Sequence, residues 1–126
     1  MKTEQRLWTK ECGWSAPADA SIGTSANLVL AFGGTSLLKD PERYADIKST
    51  YPNAHIMGCS TAGEIFGTSV CDDSLVATAV EFEKKGLQVA QVRITDVTGD
   101  VFDNLPRLVA QTFGCGWISF KLAEGK

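Results

Sequence analysis

Tyr51-Pro52-Asn53-Ala54-His55-Ile56-Met57-Gly58-Cys59-Ser60-Thr61-Ala62-Gly63-Glu64-Ile65 is the stretch on which the chain turns. Pro52-Asn53 punctuates a turn. Ala54 to Met57 is a short apolar run with the length of a buried strand. Gly58 to Gly63 then follow without one bulky side chain, and the pattern predicts a loop closed by Gly63-Glu64. Small side chains let a backbone approach a neighbouring element or a ligand closely. Ser60 and Thr61 add hydroxyls that both donate and accept. A strand emptying into such a loop is a common place for a binding site in an α/β sheet.

Working upstream, Asn27 to Phe32 is a second apolar run, rich in Leu and Val, as expected for a central strand. Gly33-Gly34-Thr35-Ser36 reads as a flexible turn after it, lining a small-molecule site beside the Gly58 loop. No lysine follows in the P-loop pattern, and G-x-G-x-x-G is absent, so this glycine pair does not signal a nucleotide. Asp40-Pro41-Glu42 opens a helix. Asp40 suits the N-cap, Pro41 the first helical position, and Glu42 complements the dipole. Leu37, Leu38, Tyr44 and Ile47 supply apolar contacts, and the helix ends before Pro52. Strand, helix and strand predict a βαβ-like start with a parallel pair. Residues 1–25 read as an N-terminal arm. Its Leu7, Trp8 and Trp14 cover a sheet edge or, in a functional reading, wall a ligand, and Pro17 to Ser25 reads as a loop.

Working downstream, Phe66-Gly67-Thr68-Ser69 and Cys71-Asp72-Asp73 read as turns. Adjacent Asp72 and Asp73 lack the further ligands that a cation needs. Ser74 to Phe82 alternates, with Val76, Thr78, Val80 and Phe82 on one side and Leu75, Ala77 and Ala79 on the other. Small Ala77 and Ala79 would let a helix pack closely. Glu83-Lys84-Lys85-Gly86 then turns into Leu87 to Ile94, predicting a β-hairpin. Asp100 to Phe113 has an amphipathic helical pattern, and Gly116 to Leu122 could add a strand. The expected fold is α/β: a mixed sheet with a βαβ-like start, a β-hairpin and packing helices.

Several motifs together resemble the FIST N-terminal domain of signal-transduction proteins. They are the strand Asn27 to Phe32, Tyr51-Pro52-x-Ala54, Gly58-Cys59-Ser60-Thr61-Ala62-Gly63-Glu64-Ile65, and Ser74 to Val80 with Phe82. The resemblance covers roughly Ala26 to Phe82. That family's domain is longer and is normally followed by a second, C-terminal FIST domain, so residues 26–126 are expected to form a partial one. The resemblance implies a sensory module that binds a small ligand, such as an amino acid or related metabolite, and signals to a separate output protein such as a histidine kinase or cyclase. It also brings an alternative: some FIST-type proteins are described as haem-binding nitric oxide sensors that regulate histidine kinases. A partial domain would expose apolar surface, which a homodimer could cover.

Composition narrows the classes further. A formal net charge of -3 gives no electrostatic footprint for nucleic acid or an anionic membrane. No apolar run approaches the length of a membrane span, and the N-terminus carries no secretory pattern, so a cytoplasmic protein is expected. Cys12, Cys59, Cys71 and Cys115 include no C-x-x-C pair, which suits free thiols and not a zinc site. Ligand binding is assigned to Gly58, Cys59, Ser60, Thr61, Gly63 and Glu64, with Gly33 and Gly34 nearby. Glu64 could pair with a ligand amine or serve as an N-cap or in a loop salt bridge. His55 would be a metal ligand only if haem were bound, with Met57 and Cys59 as further iron donors. A hydrolase-like enzyme using Cys59 or Ser60 would need His55 within hydrogen-bond reach. Four extended residues separate His55 and Cys59 by roughly 13 Å unless the chain turns sharply at Gly58. The G-x-S-x-G elbow is not matched either, so no catalytic residue is assigned.

Overall fold

The computed structural model describes residues 1–16, 22–84, 86–89, 99, 100 and 104. The chain divides into two compact units, Met1–Lys85 and Gly86–Lys126. The first carries a five-stranded mixed sheet in the order β2-β1-β7-β3-β4 and a separate two-stranded sheet, β5-β6. Its strands are β1 (Lys2–Thr9), β2 (Gly13–Trp14), β3 (Leu28–Gly33), β4 (His55–Ser60), β5 (Glu64–Phe66), β6 (Ser69–Cys71) and β7 (Leu75–Glu81). A one-turn helix α1 (Thr35–Leu38) and the longer α2 (Pro41–Thr50) lie between β3 and β4.

The βαβ expectation holds. β3 and β4 pair in parallel, Leu28 opposite His55 through Gly33 opposite Ser60, with the helices forming the crossover. Asp40 caps α2 as its sequence position implies: its Oδ1 accepts the Glu42 N–H at 2.9 Å, with Pro41 in the first turn. The cap Tyr51 and Pro52 end the helix. At the entry to β4, the His55 N–H donates to the Asn27 carbonyl at 2.9 Å. The Asn27 side-chain oxygen accepts the Phe82 N–H at 2.7 Å, so one residue ties three segments together.

β7 alternates as expected. Leu75, Ala77 and Ala79 share a face with Val29, Ala31 and Gly33 across the antiparallel β3–β7 pair. These residues form the core with Ile47 and Tyr51, and the alanines let α2 lie close.

Four local expectations change. First, Gly33 to Ser36 is no flexible turn: Gly33 ends β3, Gly34 caps α1, and Thr35-Ser36 begin that helix. Second, Gly58 to Ser60 are strand and not loop, because the parallel ladder continues past Met57 to Ser60. Third, Ser74 to Phe82 does not pair with Leu87 to Ile94. Both edges of β7 are taken, by β1 (Lys2 opposite Glu81 through Trp8 opposite Leu75) and by β3. Leu87 to Val89 adopt no strand, and 90–94 lie outside the described residues. Hairpins occur instead at β1-β2 and at β5-β6, where Phe66-Gly67-Thr68-Ser69 makes a tight connection with Gly67 at φ +60°. Fourth, Leu7 and Trp8 lie on β1, a strand inside the sheet, while Trp14 lies on β2 at its edge as expected.

In the second unit, the Asn104 N–H donates to the Asp100 carbonyl at 3.0 Å, a helical spacing. The rest of the helix expected over 100–113, the strand expected over 116–122 and residues 17–21 of the expected loop lie outside the described residues.

Candidate ligand-binding site

The parallel pair β3-β4 ends where two helices cross it, and the side chains there are small. Ala31 and Gly58 sit opposite each other on the helix-covered face. A Cβ on Gly58 would come within 3.2 Å of the Ala31 carbonyl and 3.6 Å of Leu38, so glycine lets α1 approach the sheet. Between them lies a cavity of about 380 Å³, within the range of small-ligand sites. Its floor is Ala31, Ile56, Gly58 and Leu75, and α1 and α2 contribute Leu37, Leu38 and Ile47. Polar groups stand on its wall: Thr35, Lys39, Arg43, Tyr44, Cys59 and Ser60. It opens at the carboxyl ends of the parallel strands, where α/β sheets hold ligands.

α2 fixes one side of this cavity through its far flank. The Arg43 guanidinium lies over the Trp8 ring, 4.6 Å from its centroid, and pairs with Asp40, Glu42 and Asp46 at 3.4, 2.8 and 2.9 Å. Asp46 also accepts the Trp14 indole N–H at 3.0 Å. The Tyr51 hydroxyl donates to the Glu4 carboxylate on β1. Burial, then the Glu4 hydrogen bond and charge, push the Tyr51 phenol well above its ordinary pKa. Trp8 and Trp14 therefore clamp α2 to β1-β2, and neither lines the cavity.

The residues assigned from sequence divide into two groups. Gly58, Cys59 and Ser60 line the cavity. Thr61, Gly63, Glu64, Gly33 and Gly34 do not, and their contacts hold the fold around it. Glu64 is 3% exposed, and its two oxygens accept the Thr61 and Ser74 hydroxyls, each at 2.7 Å. It anchors the loop to the start of β7. Gly33 lies so close to β7 that a Cβ would meet the Ser74 carbonyl at 2.8 Å. A Cβ on Gly63 would stand 3.4 Å from the Asp72 carboxylate. Lys39, just past α1, and Arg43 and Ile47 of α2 escaped the sequence reading as site residues. Leu37, Leu38, Tyr44 and Ile47 were visible only as helix contacts.

His55 and Met57 alternate onto the opposite face of β4 from Ile56 and Gly58, and neither lines the cavity. His55 is exposed there, so the cavity offers no imidazole to a haem iron. β4 runs straight through Gly58, so no sharp turn folds His55 back on Cys59. Among the described residues no group of three or more His, Cys, Asp or Glu could hold a metal ion. Cys12, Cys59 and Cys71 are free thiols. No helix among the described residues is long and apolar enough to cross a membrane.

The family model for the FIST N domain matches residues 27–121, a span that includes both strands and both helices of the cavity. No curated protein and no solved structure matches the chain. With most of its length matched, from the first strand of the parallel pair onward, the chain belongs to the FIST N domain family, sensory domains of signal-transduction proteins.

Proposed function

We propose that this chain is a cytoplasmic sensory module whose cavity between α1, α2 and β3-β4 holds a small ligand. Occupancy would then be signalled to a separate output protein, such as a histidine kinase or cyclase. The observation that carries this reading is the apolar cavity, floored by Ala31 and Gly58, at the carboxyl ends of the parallel strands. Its size suits an amino acid or related metabolite. Binding without catalysis fits the placement of His55 on the opposite face from the cavity.

A thermal-shift screen of the full chain against amino acids, common metabolites and hemin tests the proposal. A ligand that binds only the folded state raises the melting temperature, by about 2.7 kcal/mol of stability at a hundredfold excess over Kd. Ser60→Ala should reduce that shift. Ser60→Leu, at an exposed position, should fill the mouth and abolish it. A ligand that shifts Ser60→Leu as much as the parent would remove the cavity from the proposal. A Soret band that disappears in His55→Ala would favour the haem alternative.

A further inference from the structure

The polar groups of the cavity are sorted by charge. Lys39 and Arg43 stand on its wall, and among the described residues no carboxylate does. The two cations differ in what they are free to do. Arg43 is held by three carboxylates and the Trp8 ring, so its charge is already answered. Lys39 lies just past α1 and is exposed. Its ammonium has no ion pair or hydrogen bond among the described residues. The neutral hydroxyls of Thr35, Tyr44 and Ser60 and the Cys59 thiol stand on the same lining. The 380 Å³ lies near the small end of ligand sites, which span about 300–1,000 Å³.

We infer that the cavity selects a small carboxylic acid with an apolar body and no ammonium group, its carboxylate at the mouth against Lys39. This rests on the sensory reading of the same cavity and narrows its ligand. A free amino acid would bring its ammonium beside Lys39 with no carboxylate on the wall to receive it. Hydroxyls can hydrogen-bond an ammonium, but they cannot neutralise it. A carboxylate in the same place meets a cation unpaired among the described residues, with hydroxyl donors beside it, while its hydrocarbon covers Ala31, Ile56 and Leu75.

Calorimetric titration of the full chain with 4-methylpentanoate, leucine and 3-methylbutylamine separates the headgroups on closely matched branched hydrocarbons. The carboxylate should bind, leucine should bind about tenfold more weakly or less, and the amine should give no measurable heat. Lys39→Met should weaken 4-methylpentanoate about threefold, the scale of an exposed charge pair. Lys39→Arg should retain the affinity, and added salt should weaken the parent more than Lys39→Met. Leucine binding as tightly as the carboxylate, or Lys39→Met leaving the carboxylate affinity unchanged, overturns the inference. If leucine binds and Ser60→Leu abolishes it, the cavity reading stands and only the headgroup assignment falls. If none of the three binds and the metabolite screen is also silent, both fall together.

Discussion

The helix-covered face of the sheet has two halves, and they meet α2 in opposite ways. Over β1 and β7, large side chains fill the space: Trp8, Trp14, Ile47 and Tyr51 pack above Ala77 and Ala79. Polar bonds close that half, from Trp14 to Asp46 and from Tyr51 to Glu4. Over β3 and β4, the floor is equally small, with Ala31 opposite Gly58, but Leu37, Leu38 and the exposed Tyr44 only line the space and a cavity remains. Small residues thus have two meanings on one sheet. Beneath a bulky partner they are packing, and beneath aliphatic helix residues they leave room. The filled half holds the helix so that the open half can stay open. Empty apolar space costs stability, and the surrounding structure collapses into it unless something rigid prevents this.

The sharpest way to break this contrast is to empty the filled half. Tyr51 is 1% exposed, and Tyr51→Ala removes both its ring and the bond to Glu4. It should cost about 3–5 kcal/mol in chemical denaturation, the scale of a large buried aromatic. Gly33→Ala attacks the seam between the halves. Its Cβ would fall 2.8 Å from the Ser74 carbonyl and 3.1 Å from the Leu75 Cα, both main-chain atoms. The expected loss is about 3 kcal/mol, at the upper end for overpacking, with a lower denaturation midpoint.

Tyr51→Phe keeps the ring and deletes only the hydroxyl. A hydrogen bond to a carboxylate is worth about 1.5–3 kcal/mol, so a loss near the lower figure is expected. Its pH dependence is more telling. The folded chain holds the phenol neutral well above its unfolded pKa near 10. The stabilisation is therefore complete below about pH 10 and is lost as pH rises beyond it, because the unfolded chain ionises first. Above pH 10 the parent should lose stability faster than Tyr51→Phe. Parallel decline of the two proteins would mean that neither burial nor the Glu4 bond holds the phenol neutral in the folded chain.

Local signals in the sequence reached much of this arrangement. Asp40-Pro41-Glu42 marked the helix start because capping is decided within three residues. The alternation of Ser74 to Phe82 gave both faces of β7, since period two is a property of the strand alone. Partners were harder. β7 pairs with β1, some 70 residues earlier in the chain, and the sequence-adjacent 87–94 was the natural but mistaken choice. A polar strand such as Lys2–Thr9 carries little apolar signature, and here its Glu4 and Arg6 are answered by Tyr51, Ser15 and Thr50 from elsewhere in the chain. At the site, Gly58, Cys59 and Ser60 were legible as a run of small residues. Lys39 and Arg43 were not, because nothing local distinguishes a cation at a cavity wall from one on a solvated helix. Glu64 illustrates the converse: a carboxylate beside a glycine loop suggests a ligand contact, and its burial between two hydroxyls is visible only in three dimensions.

The smallest predicted effect separates the two glycines that the sequence presents as a pair. Gly34 follows Gly33 directly, yet a Cβ built on it meets nothing within 4 Å. Its φ of −57° and ψ of 145° are ordinary for any residue. Gly34→Ala should therefore leave the fold intact and raise stability by about 0.4–1 kcal/mol, because alanine restricts the unfolded chain where the native backbone already accepts it. Gly34→Ala also leaves the Gly34 N–H free to reach the Ser74 carbonyl, as it does at 3.3 Å. Measured beside Gly33→Ala, it asks whether close approach to β7 is a property of one position or of the whole turn. Equal destabilisation by both would mean that the turn needs two glycines for its conformation. A loss at Gly33 with a gain at Gly34 would place the requirement in a single contact with Ser74 and Leu75, at the seam where the filled half of the sheet meets the open one.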